Sequence, residues 1–230
     1  MKMNEWISRS VSVWEGWNNL GYPTREAILQ RWSKQLPSAC QAMVRYQCQQ
    51  AAEHAAVVDV LPGPTGESNE RYCAGRGILV ITVDAQAPEV ALYGQLAAAL
   101  VTGNTVFVCL PAGYSVVAED VAAQLEQSGC AGGVVTAISP DQLSGLICHP
   151  AVVGVAYAGK PASVQQLACQ LAARDGQLAL LVSETDCEQL PVIGSTTYSL
   201  RFVTERTRTI NITAVGGNAS LLELGSGGEH

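Results

Sequence analysis

From residue 77 to residue 182 the sequence alternates short β-branched apolar runs with segments of helical period, and few folds accommodate that pattern. The run 78–83 (ILVITV) is apolar throughout, as expected of a strand covered on both faces. A helix is predicted over 88–101, with Gly103 placed to close it. Further strands are predicted over 105–110, 134–138, 152–157 and 178–182. Helices over 115–126, from Asp141, and over 162–173 fall between them. Single helices between successive strands imply right-handed crossovers and a parallel sheet, the doubly wound Rossmann-like α/β class.

The flanks are different in texture. Residues 1–60 read as a helical lead-in. Thr24 is placed to cap a helix over 25–34, and apolar side chains at three-and-four spacing predict another over 36–58, with Pro37 in its first turn. Residues 61–69 (LPGPTGESN) are too rich in Pro and Gly for regular structure, so 61–76 reads as a linker. Beyond the α/β unit of 77–190, segments 198–203 and 207–213 alternate like exposed strands. They predict a C-terminal β-hairpin flap within 191–224, followed by a flexible tail, 225–230. Unpaired strand edges of that kind recruit other chains.

A formal net charge of -7 argues against nucleic acid as a partner, since phosphate contacts need clustered cations. The nearest cluster, Arg201, Arg206 and Arg208, is interrupted by Glu205. No apolar run is long enough for a transmembrane segment, and a cytoplasmic location is expected. The eight cysteines are widely and irregularly spaced, with no Cys-x-x-Cys pair and three histidines to assist them. They read as reduced structural thiols, and no metal site is expected.

A doubly wound sheet invites a test for a phosphate loop. The turn Asp84-Ala85-Gln86-Ala87-Pro88 after the first strand lacks the Gly-x-Gly-x-x-Gly that lets backbone amides approach a pyrophosphate, and no Walker motif occurs. Gly63-Pro64-Thr65-Gly66-Glu67 is glycine-rich but is not set between a strand and a helix. Cys148 and His149 are neighbours on a short helix, where adjacent side chains point apart. No nucleophile and base are linked by pattern, so no catalytic residue is expected.

Residues 95–108 (QLAAALVTGNTVFV), His149-Pro150 ahead of a strand, and Tyr157-Ala158-Gly159-Lys160 resemble the cofactor domain of the aldehyde dehydrogenase superfamily. Residues 61–69, Ala172-Ala173-Arg174-Asp175-Gly176, Thr204-Glu205-Arg206-Thr207 and 211–222 (NITAVGGNASLL) further resemble, in that order, the C-terminal domain of the bifunctional proline utilization A family. The resemblance spans residues 5–225. It implies a parent enzyme that oxidises proline with FAD and glutamate semialdehyde with NAD. In that family this domain has the nucleotide fold and a flap, docks on the aldehyde dehydrogenase domain of the parent polypeptide, and helps close the internal route of the intermediate.

Set against the superfamily's motifs, the chain reads as a noncatalytic version. Val108-Cys109-Leu110-Pro111 lacks the Lys that reaches the adenosine ribose, Lys160 replaces a Ser, and Leu180-Leu181-Val182-Ser183 replaces the Glu-Leu-Gly-Gly that carries the general base. No cofactor is therefore expected in this chain. Ser68 stands where the family pattern has Arg. The expected docking interface comprises Tyr198, Arg201, Glu205, Arg206, Thr209, Asn211, Gly216, Gly217, Asn218, Ser220 and Leu221. Two other readings stay open: a dehydrogenase fragment that still holds NAD, and a free-standing binding protein that reuses the fold.

Overall fold

The computed structural model describes residues 2–211. Three helices come first, α1 (Lys2–Asn19), α2 (Tyr22–Ser33) and α3 (Ser38–His54), then β1 (Asp59–Leu61) and β2 (Glu67–Gly75). The alternating unit follows as β3 (Ile78–Val83), α4 (Glu89–Val101), β4 (Thr105–Cys109), α5 (Ser115–Gln127), β5 (Val135–Ile138), α6 (Pro140–Ile147), β6 (Val152–Ala158), α7 (Pro161–Ala172) and β7 (Leu180–Glu184). A 3-10 turn (Tyr198–Phe202) leads into β8 (Val203–Asn211). Among the described residues no helix is long and apolar enough to cross a membrane.

β3 to β7 form a five-stranded parallel sheet of order β5-β4-β3-β6-β7, as the alternation predicts. Its strands are buried on both faces and feed two cores by strict alternation. Leu79, Ile81, Val106 and Val108 point into the core shared with α2, α3, α4 and α5. Ile78, Val80, Phe107 and Cys109 point into the core under α6, α7 and the start of α1. α4 is covered on every side, with Leu96 through Val101 all at 0% exposure, because α3 packs over the face that the sheet leaves free. The approach is close: a Cβ on Gly94 would lie 2.7 Å from Ile193 Cγ2 and 3.0 Å from Met43 Cγ.

The Gly103-Asn104-Thr105 motif is the joint of the molecule. Gly103 takes φ +92°, closing α4 in the left-handed conformation as expected of a C-terminal glycine. Asn104 is fully buried; its Nδ2 donates to the carbonyls of Ala99 and Phe202, and its Oδ1 accepts from Gly77 N. Thr105 Oγ1 accepts from Ser10 Oγ of α1 at 2.8 Å. One buried side chain thus ties α4, the entry to β3 and the entry to β8 together. Nearby, the buried Arg25 donates to the carbonyls of Val101 and Asn18, satisfying the ends of α4 and α1.

Four local expectations are corrected. Thr24 caps nothing, since α2 already begins at Tyr22, with Gly21 (φ 78°) ahead of it and Pro23 in its first turn. The linker reading of 61–76 holds as irregular chain only for 62–66, because β2 runs from Glu67 and pairs over its whole length with β8. That partner is far away in sequence, so local composition could not announce it. The stretch 198–203 is not extended: Tyr198 and Phe202 are buried and pack edge to face at 5.1 Å, winding the chain into the 3-10 turn. Consequently, among the described residues, β8 does not pair with 198–203 but belongs to a three-stranded antiparallel sheet, β1-β2-β8. The last parallel strand also starts at Leu180, two residues later than its pattern suggests.

Candidate functional site

In an open parallel sheet the binding crevice lies where the strand order reverses, outside the carboxyl ends of the strands. Here that place is between β3 and β6, and it is lined by the turns 84–88 and 159–161. Loops from β7 complete a cleft of about 400 Å³ with Thr185, Cys187 and Glu188 at its far wall. A second cavity of about 330 Å³ opens between α6 and α7, lined by Ser144, Tyr157, Gln166 and Gln170 among others.

Two charged side chains of the protein face each other across the mouth of the crevice. Asp84 ends β3; its N–H donates to Ala158 O, and its Oδ1 accepts from Ala85 N at 2.7 Å. Across from it, Gly159 leaves β6 at φ +152°, and a Cβ there would collide with Tyr157 Oη and Asp84 Cβ. Tyr157 Oη accepts from Lys160 N at 3.1 Å, and Lys160 Nζ reaches back to Asp84 Oδ2 at 3.7 Å. A carboxylate and an ammonium therefore meet where a pyrophosphate would sit. Glu89 opens α4, so the positive end of that helix is already matched by negative charge. Asp84 and Glu89 set negative charge on the side of the crevice that a phosphate would approach.

A countable signal for this was present in the sequence and was missed. Residues 77–159 contain no Lys or Arg, so every loop at the carboxyl ends of β3, β4 and β5 lacks a cation. Anion recognition at those loops would rest on backbone amides alone, against the charges of Asp84 and Glu89.

The buried thiols are not poised as nucleophiles. Burial pushes the Cys48 and Cys130 thiols up to about 12 and that of Cys109 up to about 11, which keeps them protonated at neutral pH. Cys187, beside the crevice, is also raised, by desolvation and then by Glu184, Asp84 and Asp186. His149 Nδ1 accepts from Ala151 N, and its carbonyl takes a bond from Arg174, so Cys148 and His149 form a helix end and not a pair. Glu184, the last residue of β7, is 2% exposed. Its carboxylate accepts from the N–H groups of Asp186, Val192 and Ile193. It organises the loop after β7 and has no open side toward the crevice.

The residues expected to dock fall into three groups. Arg201, Glu205, Arg206, Thr209 and Asn211 are exposed on or beside β8. Glu205 accepts from Arg71, which also holds Asp59 at 2.7 Å, and Thr209 Oγ1 bonds Asn69 Oδ1. Arg208 pairs with Glu70 and lies over the Tyr72 ring at 5.7 Å. Tyr198 is the exception: it is 1% exposed, so its side chain packs inward and is removed from the docking set. Gly216, Gly217, Asn218, Ser220 and Leu221 lie outside the described residues. Among the described residues β8 pairs on one edge only, with β2.

No family model matches the chain. The chain is 30% identical over 166 residues, or 72% of its length, to the bifunctional protein PutA of Rhizobium meliloti, of which this stretch is 12%. A solved structure of proline utilization A (PutA) with proline bound in remote sites superposes with a TM-score of 0.71 at 23% identity, covering 80% of this chain and 22% of that one. A structure of 3,6-anhydro-L-galactose dehydrogenase superposes at 0.65 with 16% identity, covering 78% of this chain and 43% of that one. The chain thus spans under a quarter of the PutA proteins it matches and just under half of the dehydrogenase.

Proposed function

We propose, on the premise that this chain is a PutA-related domain of aldehyde dehydrogenase fold, that it works as a noncatalytic docking domain within a proline-oxidising polypeptide. Its partner would be the aldehyde dehydrogenase domain, in the cytoplasm. There the exposed face of β8 seats the domain, and its bulk helps close the route of the semialdehyde intermediate. A lid of this kind acts by shape and by excluding water and needs no titratable group. FAD and NAD belong to the parent enzyme in this reading, and neither is held by this chain.

The observation that carries the proposal is the ion pair between Asp84 and Lys160 over Gly159, set in the crevice that a dinucleotide would use. Titrating the purified chain with NADH and following nucleotide fluorescence tests it. No saturation up to millimolar nucleotide is expected. Saturation in the micromolar range would overturn the vacant-crevice reading in favour of a residual nucleotide binder, for which the cleft of about 400 Å³ is the available site.

Docking needs its own test. Arg206→Ala with Thr209→Ala should weaken capture by an aldehyde dehydrogenase domain of PutA type while the chain stays folded by circular dichroism. Unchanged capture would remove β8 from the interface.

A further inference from the structure

The loop after β4 and the first turn of α5 expose apolar side chains that folding does not require. Tyr114, Val116 and Val117 remain 47%, 64% and 37% exposed. α5 buries Ala118, Val121 and Leu125, the three-and-four stripe that holds it on the sheet, and Val116 lies off that stripe. Of these, Tyr114 and Val117 border a narrow groove between α4 and α5, floored by Leu92, Leu110 and Pro111. An exposed apolar patch beside a groove marks a contact surface more often than a scatter of single residues does.

The charged side chains that line this groove, Asp84 and Glu89 on the α4 side, are both acidic. Asp120 follows Val117 by three residues, so it shares that helix face, and it is exposed. No Lys or Arg occurs between residues 77 and 159, and the nearest cation, Lys160, is engaged with Asp84. From this complementarity we infer that the groove docks a protein segment carrying an apolar side chain flanked by Lys or Arg. The apolar group fills the slot between Leu92 and Tyr114, and the flanking cations meet the rim, which steers the encounter and rejects acidic segments.

This surface is separate from β8. The three-stranded sheet joins the molecule at the amino ends of β3 and β4, where Arg76 N donates to Phe202 O and a Cβ on Gly75 would meet Gly103 O. The groove lies at the carboxyl ends of the same strands. Either surface can therefore be disproved without the other. The exposed Val57 borders a different cavity, with Arg71 and Glu205 at its wall, and belongs to the β8 side.

The experiment uses the full chain and three short fluorescein-labelled peptides: a Leu-Trp-Leu centre flanked by lysines, the same centre flanked by glutamates, and lysines around a serine centre. Anisotropy should show saturable binding of the first, with the other two weaker by about tenfold or more. The pair Tyr114→Ser and Val117→Ser should weaken the first peptide about tenfold with an unchanged near-UV spectrum. Glu89→Lys with Asp120→Lys should flatten its dependence on salt. Leu178→Ser, at a 90% exposed position elsewhere, should change nothing. The inference fails if the first peptide does not bind, if the serine-centred peptide binds equally well, or if Leu178→Ser has the same effect. A dimer of the chain alone that Tyr114→Ser disperses in sedimentation would also overturn it, because the occupant would then be a second copy.

Discussion

The two sheets of this molecule are held by different physics. In the parallel sheet every residue of β4 is buried, and cohesion comes from apolar side chains packed on both faces. In the antiparallel sheet β8 is exposed from Glu205 onward, and its side chains meet as ion pairs and hydroxyl bonds: Arg71 with Asp59 and Glu205, Arg208 with Glu70, Thr209 with Asn69. Exposed pairs of that type contribute little to stability. The first sheet therefore carries the fold, while the second presents a patterned surface whose register is set by its backbone ladder and charges.

The largest test of this contrast is Phe107→Ala. Phe107 is fully buried at the centre of the sheet, so about 3–5 kcal/mol of stability should be lost in urea unfolding. Asn104→Ala comes next, at about 2–4 kcal/mol, because it strands buried partners on α4, β3 and the turn before β8. It should also remove hydrogen-exchange protection from β8, the one case in which the two sheets fail together. Glu184→Ala leaves the Val192 and Ile193 amides without their acceptor and should cost about 1.5–3 kcal/mol.

A smaller effect comes from alkali. The raised Cys48 and Cys130 thiols keep their protons in the folded chain up to about 12, whereas an unfolded thiol ionises near its ordinary value of 9.0. Their contribution is complete below pH of about 9 and is lost as pH rises toward 12, since ionisation then favours the unfolded chain. Unfolding midpoints should fall over that window, and Cys48→Ala with Cys130→Ala should flatten the fall. Last, Arg208→Ala or Arg71→Ala should leave the unfolding midpoint where it was. A clear drop for either would mean that the charges of the exposed sheet hold the fold after all.

What the sequence made legible follows the same division. β3, β4 and α4 could be read because burial on all sides leaves apolar runs that no loop would carry. β2 could not, since Glu67 to Arg71 is polar and its partner strand lies more than a hundred residues away. The 3-10 turn was hidden because Tyr198, Ser199 and Phe202 have ordinary strand propensity, and only their packing winds them. At the crevice, the missing glycines and the Lys160 substitution were visible, but the contact of Lys160 with Asp84 required the sheet to bring β3 beside β6. The acidic, cation-free character of the groove needed no structure at all, only a count of Lys and Arg along residues 77–159.

That count has one more consequence, for chemistry done to the protein and not by it. Enzymes that acetylate, ubiquitylate or methylate lysine find no acceptor between Arg76 and Lys160, and trypsin, which spares the Lys160–Pro161 bond, finds no cleavage site between Arg76 and Arg174. Covalent regulation through lysine can reach the lead-in helices and the end of β6, but never the central strands or the groove above them. Lys160 is the first such acceptor along the nucleotide fold, and neutralising it would release Asp84 into the crevice.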